Sequence, residues 1–488
     1  MNHSTANGKP HKDPHHHPFF LRDDLEPWQH PPFYEPHLNL EPWQQRWERG
    51  KSLRLKTPRQ AHSGWEPALN RPDPINLIIN TNKGRQAHLI PIRMGRMSAS
   101  PFTFLRGSAA VMAWDLAHTP VSGIQVLVDG DAHLNNFGLY GTPQRTVVFD
   151  LDDFDEVTYG SWEWDLKRLA ASVNVAGREQ GLDQSDRQQA VMACVAGYKE
   201  NAAHLKQLRV LEVWYLHHYP GKTTPVFKPN KKTQKILKKA VTKARKSTNI
   251  HLLKKLAHRT VEGTWRFTDN APILKRTDEE TAQKVVHSLI AYAETLSPER
   301  RYMFQRYRVV DVAHRVVGVG SVGLRAYLVM LFGNDNNDPL FLQVKEAVSP
   351  SFAPYTPPLP PAAAHQGRRV VLGQRVLQAA TDVLLGWTSI DGDPFYVRQM
   401  KNMKGSIPLE GLNDSAFVMY ARACGILLAR AHARSGDIAK IAGYCGHSSV
   451  LEEAIADFAE AYGNQNQRDW EALVTAINEG KISAEIGI

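Results

Sequence analysis

Two short β-rich runs, each followed at once by a polar or acidic loop, constrain the fold of this chain more than any other feature. Ile124–Val128 leads into Val128–Gly138, VDGDAHLNNFG, and Thr146–Leu151 leads into Asp150–Glu156, DLDDFDE. Such runs predict strands. Apolar residues three and four positions apart then predict three helices, at Trp162–Gln180, Asp183–Leu208 and Asp278–Leu296. Strands and helices grouped in this way favour an α+β fold.

The character of the chain changes at Asp311, where strands come to dominate. Strand-like runs at Val312–Val317, Leu324–Phe332 and Leu340–Val344 are separated by turns rich in Gly and Asn. A proline-rich loop follows at Pro354–Pro361. After it the pattern predicts a helix near Val370–Leu385, strands at Leu385–Ile390 and Pro394–Met400, and helices at Ser415–Ala433, Val450–Tyr462 and Trp470–Asn478.

These patterns predict four segments. They are an N-terminal extension rich in Pro, His and Trp (1–72), a helical lobe (73–310), a β-lobe (311–405), and C-terminal helices (406–488) that return to the helical lobe. The extension opens with His3, His11, His15, His16 and His17, which favour a disordered tail over a metal site. The tryptophans of the extension are expected to pack it against the rest of the protein. They are Trp28, Trp43, Trp47 and Trp65.

Composition excludes several classes of protein. Of 488 residues, 42% are hydrophobic and 22% charged, which excludes a mostly disordered chain and a coiled coil. No apolar run approaches the ~18 residues of a membrane helix, and the N-terminus lacks the apolar stretch of a secretory signal. The three cysteines, Cys194, Cys424 and Cys445, are too few for a disulfide framework. We therefore expect a cytoplasmic protein without a membrane partner.

The positive charge is concentrated in one segment, Lys222–Val261. It holds thirteen Lys and Arg residues and no Asp or Glu, and without them the formal net charge falls from +10 to −3. A uniformly basic nucleic-acid-binding protein does not have this distribution. The segment predicts either a solvated helical face or a docking surface for an anionic partner.

Asp131 and Asn136 lie in the first polar loop with the spacing D-x-x-x-x-N. In protein kinases this spacing places an Asp that accepts the proton of the substrate hydroxyl beside an Asn that binds Mg²⁺. Both must lie on one tight loop because the attacking oxygen and the metal are close together. His133, between them, is expected to orient the loop or to pair with Asp153, with a packed core histidine as the alternative.

The second loop is strongly acidic, with five acidic residues among the seven of Asp150–Glu156. Carboxylates packed this closely repel each other, and a divalent cation is the usual compensation. Asp153-Phe154-Asp155 aligns with the kinase D-F-G motif, whose Asp binds the Mg²⁺ that bridges the phosphates. We therefore predict Asn136, Asp153 and Asp155 as ligands of Mg²⁺ or Mn²⁺, with a solvated acidic turn as the alternative.

A glycine-rich segment, VGVGSVG at Val317–Gly323, matches G-x-G-x-x-G. A dinucleotide-binding fold requires a helix at the third glycine. Here a strand-like run and a Gly-Asn-Asp turn follow, which predicts a hairpin of the kind that covers nucleotide phosphates in kinases. The expected nucleotide-binding residues are Gly318, Gly320, Ser321 and Gly323, together with Lys345, which ends the next strand like the phosphate-binding lysine of kinases.

These motifs occur in an unusual order. A kinase runs from glycine loop through lysine and helix to catalytic loop and D-F-G, whereas here the catalytic-type loop and the acidic segment come first. A helix ending at Leu427–Ala433 follows the last predicted strand, where a kinase would continue into its catalytic loop. A circularly permuted protein-kinase-like fold accounts for this order. The junction before Val128 would be opened, and the old ends would be joined near Tyr307–Asp311.

Other motifs along the chain carry a resemblance to known proteins. They are PIRMGRM at Pro91–Met97, SPFTFLRG at Ser100–Gly107, GDAHLNNFG at Gly130–Gly138, DDFDE at Asp152–Glu156, WEWDLKRL at Trp162–Leu169 and AHAR at Ala431–Arg434. Over roughly Asp73–Ala459 these motifs resemble an uncharacterised bacterial family, a domain of unknown function (number 2252). That resemblance carries no activity with it.

A more distant resemblance is to aminoglycoside phosphotransferases and choline kinases. Their G-D-x-H-x-x-N loop is matched at Gly130, Asp131, His133 and Asn136, and their next motif at Asp153, Gly160 and Asp165-Leu166, with Lys167 in place of an alanine. This resemblance implies transfer of phosphate from ATP to a small-molecule hydroxyl, with catalytic roles for Asp131, His133 and Lys345. It also implies that Asp165 orders the catalytic loop. Arg106 is expected to bind an anion or to form an ion pair.

One departure keeps other functions open. The kinase lysine is normally paired by a Glu on the next helix, but Val370–Leu385 contains none and offers only Gln374, Gln378 and Asp382. The sequence therefore predicts a Mg²⁺- and ATP-dependent phosphotransferase. Its alternatives are an AMP-transferring protein or a nucleotide-binding pseudokinase that docks a polyanion. A dinucleotide oxidoreductase would require a helix at Gly323.

Overall fold

The structure is a computed structural model that describes residues 41–357 and 365–487. The five N-terminal histidines from His3 to His17 and Trp28 lie outside these residues, as does part of the loop Pro354–Pro361. The fold is α+β, as predicted. Within the described residues it has a six-stranded antiparallel sheet, three two-stranded antiparallel pairs and many helices.

Five short helices come first: α1 (Trp43–Ser52), α2 (Pro74–Asn80), α3 (Ile90–Ser98), α4 (Pro101–Gly107) and α5 (Ala109–Ala117). Side chains at their N-termini explain two of the starts. Asp73 accepts a hydrogen bond from the Ile75 N–H (2.7 Å) at α2, and Ser100 caps α4. Trp65 packs edge-on against Tyr462 near the other end of the chain, so this part of the extension is held on the body as predicted.

The first two strand pairs hold the two polar loops. β1 (Gln125–Val128) pairs with β4 (Thr158–Ser161), and β2 (Phe137–Gly141) pairs with β3 (Val147–Leu151). The sequence predicts β1 and β3 but misses β2 and β4, which contain glycine and become strands because buried partners supply their ladder bonds. The long helices α6 (Trp162–Glu179) and α7 (Gln184–Leu205) follow.

The basic segment forms two amphipathic helices. After α8 (Val210–Tyr215) come α9 (Lys231–Arg245) and α10 (Asn249–Leu256), and then the pair β5 (Ala257–Arg259) and β6 (Trp265–Phe267). α9 buries Thr233, Leu237 and Ala244 and leaves its lysines exposed. The segment is thus largely helical with an exposed basic face, which is compatible with both a solvated face and a docking surface.

The six-stranded sheet has the order β11-β12-β10-β9-β8-β7. Its strands are β7 (Leu274–Arg276), β8 (Arg308–Arg315), β9 (Ala326–Phe332), β10 (Pro339–Glu346), β11 (Gly386–Ile390) and β12 (Asp393–Gln399), with α11 (Glu279–Glu294) and α12 (Pro298–Phe304) after β7 and α13 (Gln366–Leu377) after β10. Leu289 and Tyr292 of α11 share a core cluster with sheet residues such as Val329 and Val397. α11 therefore lies on the sheet, although the sequence assigns it to the helical lobe.

The last helices are α14 (Asp414–Ser435), α15 (Ile438–Cys445) and α16 (Val450–Asn478). One core cluster joins Leu166 and Val195 of α6 and α7 to Leu427 and Phe458 of α14 and α16. The C-terminal helices thus complete the helical body that the middle of the chain begins. The sequence predicts two helices within α16. Instead the helix continues through Gly463, where a Cβ would lie 2.4 Å from the Asn174 side chain.

Candidate active site

The loop between β1 and β2 is fixed by a buried carboxylate beneath it. Asp165, in the first turn of α6, accepts hydrogen bonds from the N–H groups of Asp129 (2.7 Å) and Gly130 (2.9 Å). His432 lies 3.1 Å from Asp165 through Nε2 and 2.7 Å from the Tyr198 hydroxyl through Nδ1. These contacts match the prediction that Asp165 orders the loop. They fix the backbone of the loop at Asp129 and Gly130.

Asp131 projects from this loop and pairs with Arg168, one turn after Asp165 on α6. Arg168 Nε donates to Asp131 Oδ1 at 2.7 Å, while the carboxylate remains 25% exposed. The low-polarity surroundings raise the pKa of Asp131 to about 7, with Arg168 opposing the rise and Glu156 adding to it. A carboxylate with a pKa near neutrality is suited to accept a proton at physiological pH.

His133 supports Asp131 and does not pair with Asp153. Its Nε2 lies 3.7 Å from Asp131 Oδ2, and its ring packs edge-on against Phe102. Burial and the nearby Arg106 and Arg168 guanidinium groups lower the pKa of His133 well below its usual value. The imidazole is therefore neutral. Its contacts agree with the expectation that His133 orients the loop.

Asn136 turns its amide nitrogen towards the protein and leaves its oxygen without a partner. Nδ2 donates to Asp129 Oδ2 (2.7 Å) and to the Asp153 carbonyl (3.1 Å), which links the two polar loops. Asn136 Oδ1 and Asp129 Oδ1 are buried, and neither has a hydrogen-bond partner among the described residues. Buried oxygens left unsatisfied are costly, and a bound cation would satisfy them.

Asp153 and Asp155 differ in their surroundings. Asp153 is exposed to the cleft, where the enclosing protein and the Asp155 carboxylate raise its pKa. Burial alone would also raise the pKa of Asp155, but the adjoining Lys345 ammonium lowers it. Lys345 pairs with Asp155 Oδ2, but Asp155 Oδ1 is buried without a hydrogen-bond partner among the described residues, so each of the three predicted ligands keeps an oxygen available. No cluster of three or more His, Cys, Asp or Glu side chains suited to a metal occurs in residues 41–357 and 365–487.

Lys345, on β10, reaches across from the sheet to Asp155 and forms an ion pair with it. The lysine is 2% exposed; burial lowers its pKa, but Asp155 more than offsets this, so the ammonium stays charged. Gln374, Gln378 and Asp382 bind other groups, so the partner of Lys345 is not on the following helix. That helix instead contacts the acidic segment through Arg369, which donates to the carbonyl of Asp155 at 2.7 Å.

The glycine segment forms the loop between β8 and β9, which are antiparallel. No helix begins at Gly323, since β9 starts at Ala326, so the dinucleotide-binding alternative is wrong. Gly318 (φ +71°) and Gly323 (φ +90°) adopt left-handed backbone conformations that favour glycine. Ser321 Oγ donates to the Val317 carbonyl within the loop (3.1 Å).

Residues before the Asp131 loop hold the glycine loop in position. Arg85 donates to the Val322 carbonyl (2.6 Å) and Arg96 to the Gly318 carbonyl (2.7 Å). A Cβ on Gly320 would lie 3.3 Å from the Arg106 carbonyl. The charge of Arg106 interacts with Asp131 and Asp153, and its buried Nε has no partner among the described residues. Arg106 is therefore close to the glycine loop and to both carboxylates, and these residues border one charged region, the cleft.

Sequence reasoning missed several charged residues of this cleft. Arg168 was recoverable, because it follows Asp165 by three positions and must share a helix face with it. Lys404, 2.9 Å from Asp152 Oδ1, and Arg398, which donates to the Asp152 carbonyl at 3.2 Å, could not be found, since only the folded chain brings them to the acidic segment.

Together these observations define an α+β protein with a charged cleft between a helical body and an antiparallel sheet. A family model described as "Uncharacterized protein conserved in bacteria (DUF2252)" matches residues 85–476, and the chain belongs to that family. A search of curated proteins and a search of solved structures found no match to this chain. Among the described residues no helix is both long and apolar enough to cross a bilayer, and all three cysteines are buried and unpaired.

Proposed function

We propose that this protein is a Mg²⁺- and ATP-dependent phosphotransferase with a circularly permuted kinase-like fold and a hydroxyl acceptor. The contact between Lys345 and Asp155 carries the proposal. A lysine on a strand of the sheet pairs with an aspartate of the acidic segment, which lies 190 residues earlier in the chain. Asn136 also binds this segment, through the Asp153 carbonyl.

The succession of elements from β8 onwards supports this assignment. A glycine loop joins β8 to β9, the lysine lies on β10, α13 follows, and β11 and β12 lead to α14. Protein kinases use the same succession up to their catalytic loop. At the C-terminal end of α14, Ser435 Oγ accepts a hydrogen bond from the Leu127 N–H of β1 at 3.3 Å. The end of α14 thus adjoins the strand before the catalytic-type loop, as a rejoined permutation requires.

Each residue of the cleft has a role in the proposed reaction. Asp131 accepts the proton of the acceptor hydroxyl, and Arg168 and His133 hold its carboxylate in place. Lys345 binds phosphate oxygens beneath the loop of Gly318, Gly320, Ser321 and Gly323. Asn136, Asp153 and the unpaired Oδ1 of Asp155 would hold Mg²⁺, which is usually bound through one or two carboxylates and completes its shell with water and phosphates. When bound, the metal would offset the charge of the transferring phosphate.

A second candidate is a nucleotide-binding pseudokinase, or an AMP-transferring relative, that docks a polyanion. The exposed face of α9 favours it. The charged residues on this face are all exposed, and none of them forms an ion pair within the described chain. They are Lys231, Lys232, Lys235, Lys238, Lys239, Lys243 and Arg245. Like charges this close repel, and an anionic partner would relieve the repulsion.

ATP consumption by the purified protein tests the proposal, with a bacterial cell extract as the source of acceptor and liquid chromatography to separate ADP from AMP. ADP formation that requires Mg²⁺ and is lost in Asp131→Asn supports phosphate transfer, whereas AMP-bearing product indicates AMP transfer. If ATP binds but no extract supports turnover, the phosphotransferase proposal fails. Binding of a polyanion that weakens steeply with salt would then support the second candidate.

A further inference from the structure

A second cavity lies behind α6, away from the cleft that contains Asp131. Its volume is about 250 Å³, and it lies between the segment 61–68, α5, α6 and α16. Trp65, Trp114 and Phe458 supply aromatic walls. This volume is just below the ~300–1,000 Å³ of typical small-molecule sites, so it suits a ligand of one ring and a few substituents.

The side chain of Lys167 lines this cavity and is only 1% exposed. Glu163 lies one turn earlier on α6, yet no carboxylate of the described residues is within ion-pairing distance of Lys167 Nζ. Its nearest recorded contact is the ring of Phe458, 5.1 Å from the ring centre. Burial lowers the pKa of Lys167, and Glu163 only partly opposes this. A lysine buried without an acceptor is unfavourable unless something in the cavity compensates it.

Of the other polar groups that line the cavity, Asp115 is fully paired, Glu66 is exposed to solvent, and His62 has one buried ring nitrogen, Nδ1, without a partner among the described residues. Asp115 accepts from Arg71 at 2.7 and 2.8 Å and from the Tyr462 hydroxyl at 2.9 Å. His62 Nε2 lies 2.7 Å from the Tyr444 hydroxyl, and burial and Lys167 lower its pKa to about 3, so its ring is neutral. His118 is exposed at the rim. Lys167 is therefore the cation in this cavity that a ligand can pair with.

We propose that this cavity binds a small planar organic carboxylate, whose anionic group pairs with Lys167 and whose ring packs between Trp65 and Trp114. The aromatic walls favour a flat, apolar body, and the buried ammonium requires a negative charge at one end. Lys167 and Arg168 are neighbours in the WEWDLKRL motif, and their side chains leave α6 about 100° apart, so Lys167 lines the cavity while Arg168 binds Asp131. The proposed site is thus separate from the nucleotide cleft.

Titration calorimetry with sodium benzoate, and with benzamide as its uncharged isostere, tests the site. We expect benzoate to bind and benzamide to bind at least about tenfold more weakly. Lys167→Met should weaken benzoate by about 10- to 100-fold, the effect of losing one charged hydrogen bond. Lys206→Met is the matched control, since Lys206 also lies over tryptophan rings, Trp43 and Trp47, but outside the cavity. It should bind benzoate like the wild type.

Two further variants keep the outcome interpretable. If Lys167→Met does not fold, Trp114→Leu removes one wall while retaining the lysine, and it should also weaken benzoate. Asp153→Asn should bind benzoate normally, whatever its effect on ATP, which separates this site from the proposed phosphotransferase activity. Benzoate binding that is absent from the wild type at millimolar concentration, equal to that of benzamide, or unchanged in Lys167→Met overturns the proposal.

Discussion

The ammonium of Lys345 forms an ion pair with the carboxylate of Asp155, which lies 190 residues earlier in the chain. The pair joins the sheet to the acidic segment of the helical body. The next helix, α13, meets the same segment through Arg369, which donates to the Asp155 carbonyl at 2.7 Å.

The first prediction concerns this pair. Lys345→Met should lower the free energy of unfolding by about 1–3 kcal/mol, because Asp155 is left largely buried without a cation. Lys345→Met combined with Asp155→Asn should recover most of that loss, since the uncompensated charge is removed. Chemical denaturation measures both effects. ATP affinity should remain weak in the double variant, and tight binding there would show that Lys345 does not contact the nucleotide.

The second prediction concerns the metal. ATP should raise the thermal midpoint only with Mg²⁺ or Mn²⁺, by the equivalent of about 2.7 kcal/mol at a hundredfold excess over Kd. Asp153→Asn should abolish the Mg²⁺-dependent stabilisation by ATP, because it removes an exposed carboxylate ligand. Asp152→Asn is a matched control one residue away, because Asp152 pairs with Lys404. Equal stabilisation by ATP in the presence of EDTA would contradict a metal site at Asp153.

The third prediction concerns Asp131 as the base. Asp131→Asn should reduce turnover by about 10²–10⁴-fold while ATP affinity changes little, because proton acceptance acts on the transition state. Asparagine can still accept a hydrogen bond from Arg168, so the fold should survive. Turnover and nucleotide binding are measured separately on the same preparation. Wild-type turnover in this variant would eliminate Asp131 as the base.

The fourth prediction is the pH dependence that follows from the pKa of Asp131, about 7 in the folded protein. Turnover should rise with pH through this value, because only the deprotonated carboxylate accepts a proton. The free energy of unfolding, in contrast, should fall as the pH rises. A folded pKa above the unfolded value means that the native state binds the proton more tightly, so this contribution to stability is lost as pH rises from about 4 to 7. Asp131→Asn should flatten that part of the stability profile.

The fifth prediction concerns the glycine loop. Gly323→Ala forces a side chain into a conformation with φ +90° and brings its Cβ to 3.0 Å from Arg85. We expect a loss of about 1 kcal/mol or more in stability and weaker ATP binding. Gly392→Ala is the matched control, since Gly392 has φ +88° and open space around it in the turn between β11 and β12. It should lose stability without losing ATP affinity.

The sequence predicts the parts of this fold that local pattern determines. β1, the β8–β9 hairpin and the position of Lys345 on a strand follow from β-rich runs and glycine-rich turns. The pairing of Lys345 with Asp155 does not follow, because it depends on how the sheet is placed against the body. β2 has two glycines in five residues and becomes a strand only because β3 lies beside it. α11 has an ordinary amphipathic pattern, which cannot specify the surface that it covers.

The helical body is built from two parts of the chain that are synthesised far apart in time. About 210 residues separate the end of α7 from the start of α14, which is roughly 10–40 s of translation at ordinary rates. Throughout that interval α6 and α7 have emerged without the helix that covers them, while the sheet between them can already form. We expect the nascent chain to expose this apolar surface and to engage a chaperone until α14 docks. The loop that carries Asp131 would then become ordered last.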